Sequence, residues 1–121
     1  MKEYIEIKKS EEYKNVTVRF YNEKDKPFKI GNKMFELNKE AYMNGYNWDA
    51  IFNYYLAKHN PELLEELEPN PEGGSYFAHY PLTSENEKKA EKFAEIIIDL
   101  IENEEKLYEI VKNEAKDIEW D

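Results

Sequence analysis

Between Asn44 and Tyr80 the chain reads NGYNWDAIFNYYLAKHNPELLEELEPNPEGGSYFAHY, and this stretch leaves the remainder little freedom. Trp48, Ile51, Phe52, Tyr55, Leu56 and His59 fall at helical spacing on one stripe, the pattern of a helix lying on a sheet. Asn44-Gly45 reads as a turn in which Gly45 is free to take positive φ. Asn47 is placed to cap the helix, with Asp49 near its positive end. Asn60-Pro61 stops that helix and starts another, with Asn60 as cap and Pro61 at the first helical position, carrying Leu63, Leu64 and Leu67 over two turns. Pro69 to Gly74 reads as a tight turn, because proline and glycine at that density do not sit inside a helix. It feeds an alternating strand over Ser75–Tyr80. Both faces of that strand are partly apolar, which predicts an interior position in the sheet.

The flanks supply partners for this unit. Ile5 and Ile7 alternate with Tyr4, Glu6 and Lys8, predicting a strand over residues 3–9. Val16, Val18 and Phe20 alternate with Thr17, Arg19 and Tyr21, predicting a second strand over 13–21, antiparallel to the first. Asn22–Lys26 reads as a charged turn closed by Pro27. Met34, Phe35 and Leu37 fit either a third strand or one helical turn; a strand over 33–37 is the expectation. Ser84 with Glu87 forms a capping box that opens a helix to about Glu102, with Ala90, Phe93, Ala94, Ile97, Ile98 and Ile101 as its buried stripe. Asn103 is placed to cap a last helix carrying Leu107, Ile110 and Val111. Ile118 and Trp120 read either as a tail anchor or as a loose end. The fold class expected is α+β: one domain over 1–121, an antiparallel sheet of about four strands, and four helices packed mainly on one face.

Charge narrows the class of partner. Residues 1–33 carry a net charge of +3 and residues 34–121 a net charge of −13, within a total of −10. Such an acidic body repels nucleic-acid phosphates and anionic membrane, whereas it attracts a basic protein. There is no cysteine, so disulfides and thiolate metal sites are excluded. The start of the chain has no apolar signal segment, and the longest apolar run is Ile96–Ile98. A cytoplasmic location is expected.

No catalytic pattern stands out. His59 and His79 are the only histidines, and no metal-binding spacing surrounds them. Ser75 follows Gly73-Gly74, but a tight turn accounts for all three residues. Glu62, Glu65, Glu66 and Glu68 form an acidic cluster that reads as a solvated face and not as a carboxylate pair for glycoside chemistry. What remains is aromatic and acidic, including ten tyrosines, and tyrosine is enriched at protein interfaces. Candidate contact residues for a protein partner are Asp49, Tyr54, Glu65, Glu66, Glu68 and Glu72.

The motif NGYNWDAIF at 44–52, followed by PELL at 61–64 and PEGGSYFAHY at 71–80, resembles the immunity protein 51 family, the antidotes encoded beside toxins in bacterial polymorphic toxin systems. Against that family's G-N-G-Y-D-W and D-P-E-A-G-M-F stretches, Met43 replaces the first Gly and Asn47 the Asp. Asn70 stands for the Asp before Pro71, Gly73 for the Ala and Ser75 for the Met. Asn44, Gly45, Tyr46, Trp48, Pro71, Glu72 and Gly74 match recurring family positions and read as scaffold first. The resemblance implies a non-enzymatic protein without cofactor or metal. Its partner would be a cognate toxin domain, for instance a basic nuclease, blocked sterically and electrostatically. The competing expectation is a small metal-dependent hydrolase or ligand-binding enzyme using His79 with acidic partners.

Overall fold

A computed structural model describes residues 1–121. Eight elements are arranged as β1 (Ile5–Ser10), β2 (Asn15–Phe20), α1 (Asp25–Leu37), α2 (Gly45–His59), β3 (Glu68–Pro71), β4 (Tyr76–Pro81), α3 (Ser84–Glu102) and α4 (Glu105–Asn113), with short 3-10 turns at Pro61–Leu64 and Ala115–Asp117. The four strands form one antiparallel sheet in the order β1-β2-β4-β3, so β4 is interior. Strand alternation divides the sheet into two faces. Val16, Val18, Phe20, Tyr76, Ala78 and Tyr80 are buried under the helices. Glu6, Lys8, Arg19, Phe77 and His79 lie on the opposite face. There Arg19 bridges Glu6 at 3.2 Å and covers the Phe77 ring at 5.1 Å from its centroid.

α3 crosses β1, β2 and β4, and α2 lies over β3 and β4, while α1 packs on α3 and α4. The core is one continuous cluster from Tyr4 to Ile118. Its centre is Phe52 on α2. The ring stands 5.5 Å from Phe20, 5.6 Å from Trp48, 5.1 Å from Tyr76 and 5.9 Å from Phe93, mostly edge-to-face. The hydroxyl of buried Tyr80 donates to the Leu63 carbonyl at 2.5 Å, which fastens the 3-10 turn to the sheet.

The α+β class and its element totals are as expected, but one helix and one strand come from different residues. Residues 33–37 belong to α1, not to a strand. Ile30, Gly31 and Met34 form the buried face of that helix, and Pro27 sits in its first turn, where a missing N–H breaks no helical bond. The fourth strand is instead β3, formed by residues read as a turn. Its two prolines are tolerated because β3 is an edge. The two-turn helix after Asn60 shrinks to a 3-10 turn without a side-chain cap.

The caps also move. Asn44, not Asn47, caps α2 by accepting from the Asn47 N–H at 3.0 Å. Thr83, not Ser84, caps α3 by accepting from Asn86 N–H at 3.0 Å. Asn103 terminates α3, and no side chain caps α4. Tyr4, read as outward, is buried against Phe20 with ring centroids 6.2 Å apart, because it precedes the strand.

Candidate functional site

Asn47, buried in the first turn of α2, ties together two distant pieces of chain. Its Nδ2 donates to the Tyr42 carbonyl at 2.8 Å, and its Oδ1 accepts the backbone N–H of Asp121 at 2.6 Å. Trp120 Nε1 donates to the Ala115 carbonyl at 3.1 Å, and Ile118 is buried in the core. The last residues are therefore anchored along α2, not loose. Ile118 and Trp120 turn inward, while Asp117, Glu119 and Asp121, at the alternate positions, stay exposed.

This anchoring creates a groove of about 670 Å³ between α2 and the tail. Tyr46, Asp49, Asn53 and Tyr54 form the α2 wall, and Asp117, Glu119, Trp120 and Asp121 form the other. Four carboxylates line it and no lysine or arginine does. Burial pushes the Asp49 carboxyl above its usual range, partly offset by the hydrogen bond it accepts from Asn53 Nδ2 at 3.2 Å. Tyr54 faces the groove with its ring, because its hydroxyl is already engaged by Glu114. Lys58 reaches the same Glu114 oxygen at 2.6 Å, and these two bonds hold the Glu114 carboxyl below the ordinary carboxylate range. Chemically, the groove offers carboxylate acceptors and aromatic walls to a cationic side chain.

Of the residues expected from sequence to contact a partner, the structure brings Asp49 and Tyr54 into this groove. The others lie elsewhere. Glu66 and Glu68 line a shallow concavity of about 330 Å³ with Tyr13 and His79 at one end of the open sheet face. Glu65 lies outside both and approaches Lys89 at 3.9 Å. Glu72 is exposed in the β3–β4 turn. The family-motif residues behave as scaffold in several cases. Asn44 is the cap, Trp48 is fully buried, and Gly45 lies under the Glu72–Ser75 turn so closely that a Cβ would sit 1.9 Å from the Glu72 carbonyl oxygen. No glycine has positive φ, so Gly45 is required by close approach and not by backbone conformation. Pro71 belongs to β3, Gly74 is in the turn that follows, and Tyr46 is exposed beside the groove.

Asp117, Glu119 and Asp121 were not among the residues singled out from sequence, and Trp120 was read only as a tail anchor or a loose end, not as a wall of a groove. Their signal is the alternation D-I-E-W-D at 117–121, apolar residues in and acids out. The histidines have ordinary roles: His59 stacks on Tyr55 at 4.4 Å between centroids, and His79 Nδ1 shares a 2.7 Å hydrogen bond with Thr17 Oγ1. No three His, Asp or Glu side chains converge in a way that would hold a metal ion. No helix is long and apolar enough to cross a membrane.

Neither a curated protein nor a solved structure matches the chain. The sequence pattern described as Immunity protein 51 does, over residues 6–116, from within β1 to the 3-10 turn after α4. That span includes α2, the turn over Gly45 and every strand and helix of the core. With nearly the whole fold inside the match, the chain belongs to the immunity protein 51 family, generally non-enzymatic proteins whose membership implies a cognate toxin as partner and its neutralisation as the task.

Proposed function

We propose that this protein neutralises its toxin by lying over it, and that the groove between α2 and the tail is the surface that does so. The observation that carries this reading is the groove's composition: Asp49, Asp117, Glu119 and Asp121 surround Tyr46, Tyr54 and Trp120 with no basic residue in the lining. A toxin that handles phosphate, such as a nuclease, carries a basic active site, and an acidic surface both steers the encounter and competes with the substrate. Aromatic rings with a polar edge supply the contact area that charges alone do not. Blocking is steric and electrostatic, with no bond made or broken.

The test is co-expression with the toxin encoded by the neighbouring gene. The wild-type chain should protect cells and co-purify with the toxin. Asp117→Lys combined with Glu119→Lys should abolish both, whereas Glu65→Lys combined with Glu66→Lys should leave both intact. Full protection by the groove variant would move the contact surface elsewhere. Cells that die equally fast with the wild-type chain present would refute neutralisation of that toxin.

A further inference from the structure

The two outer edges of the sheet are chemically unlike. In an antiparallel ladder, residues alternate between those whose backbone groups bond the neighbouring strand and those whose groups point away from it. At β3 the Glu72 N–H donates to the Ser75 carbonyl at 2.8 Å, in line with the register Pro71↔Tyr76 and Asn70↔Phe77. Glu68 and Asn70 therefore face β4, and the residues facing outward are Pro69 and Pro71. Neither has an N–H, so this edge offers no donors to another strand.

β1 is the opposite case. The Tyr21 N–H donates to the Tyr4 carbonyl at 2.8 Å, continuing the register Ile5↔Phe20 and Ile7↔Val18. Glu6 and Lys8 thus bond β2, and Ile5, Ile7 and Lys9 present their backbone outward. The Ile5 N–H is taken by the Lys2 carbonyl at 3.2 Å. Those of Ile7 and Lys9 face away from β2. The elements packed on β1 are β2 beside it and α3 beneath it, which leaves the edge uncovered.

We propose that the β1 edge binds β1 of a second copy, antiparallel, about a two-fold axis through Ile7. Charge selects both the occupant and the register. Only outward-facing residues can be hydrogen-bonded partners, which places the axis through a residue position. At 5 the strands barely overlap and at 9 Lys9 stands opposite Lys9, which leaves 6, 7 or 8. An axis at 6 sets Glu6 opposite Glu6, and an axis at 8 sets Lys8 opposite Lys8; like charges directly opposite are destabilising. An axis at Ile7 sets Ile7 against Ile7 and Glu6 against Lys8 of the second copy, twice. Lys8 is exposed and belongs to none of the chain's own salt bridges. Glu6 uses Oε1 for Arg19 and for the Tyr21 hydroxyl, which leaves Oε2 open to that lysine. The product is a continuous sheet whose outer ends are both β3, so the prolines stop growth at two copies. α2 lies over β3 and β4, away from β1, and each copy keeps its groove open.

Sedimentation equilibrium on the purified chain from micromolar to millimolar concentration tests this. The average mass should rise from 14.6 kDa towards twice that value. Lys8→Glu opposes two carboxylates at both ends of the pairing and should weaken association at least about tenfold. Glu6→Lys on top of Lys8→Glu should restore it. Ile7→Pro removes an N–H that the β1–β2 ladder does not use, and should give a folded monomer with unchanged circular dichroism. A wild-type chain that stays at 14.6 kDa throughout overturns the proposal. So does a dimer that survives both Lys8→Glu and Ile7→Pro, and a folded double variant that remains monomeric overturns the register.

Discussion

Adding one methyl group at Gly45 should destabilise the fold by about 2–3 kcal/mol. An ideal Cβ there lies 1.9 Å from the Glu72 carbonyl oxygen and 2.2 Å from that of Ser75, both backbone atoms of the β3–β4 turn. Real Cβ atoms essentially never come within 3.0 Å of a heavy atom in this way, so turn and helix must part by more than an ångström. Overpacking of that kind costs about 1–3 kcal/mol. The same movement opens the bond from the Gly45 N–H to the Gly73 carbonyl, now 3.0 Å long, for about another 1 kcal/mol. Alanine's better helix propensity returns at most about 1 kcal/mol. Gly73→Ala, in the turn that faces Gly45, is the control. Nothing lies within 4 Å of its Cβ and its φ is not positive, so loss of unfolded-state entropy is the only consequence; it should stabilise by about 0.4–1 kcal/mol. Guanidinium unfolding at fixed slope reads both, and in a thermal melt Gly45→Ala should fall by roughly 10 °C. A Gly45→Ala protein within about 0.5 kcal/mol of wild type would show that the turn yields freely, and the steric account would be wrong.

Asp49→Asn should raise stability at neutral pH: burial lifts the Asp49 carboxyl, so ionising it opposes folding as pH rises through and above its ordinary range. The gain should shrink to nothing in acid, where both side chains are neutral, and a gain independent of pH in urea titrations would contradict the desolvation origin. Phe52→Ala removes the ring at the centre of the aromatic cluster and should cost about 3–5 kcal/mol. A shift in the denaturant midpoint worth less than about 2 kcal/mol would mean that Trp48, Tyr76 and Phe93 close over the void.

Much of this was legible because apolar periodicity is local. The stripe from Trp48 to Leu56 and the alternation of Val16, Val18 and Phe20 each declare their element within one stretch of chain. α1 was not, since Pro27 and Gly31 resemble punctuation. Yet Pro27 occupies the helical turn that needs no N–H, and Gly31 is small because a Cβ would stand 3.0 Å from that of Met43. β3 was hidden for the converse reason, since prolines that forbid a central strand are harmless on an edge. The caps slipped because Asn44 and Asn47, or Thr83 and Ser84, are chemically able to do the same work, and only geometry chooses. Asp49 and Tyr54 were visible as an acid and an aromatic on a marked helix. The opposite wall of the groove was not, since Asn47 and Asp121, which hydrogen-bond there, lie 74 residues apart in the chain.

The two tryptophans sit in very different surroundings. Trp48 is sealed between Phe20 and Phe52, and Trp120 stands partly in water on the groove wall. Emission from the sealed indole should be blue and should change only on unfolding, while the other should be redder and more open to acrylamide. A toxin seated over α2 and the tail would shield Trp120 from the quencher and leave Trp48 unaffected. Docking and denaturation can therefore be followed separately in one label-free cuvette, using fluorophores the chain already carries.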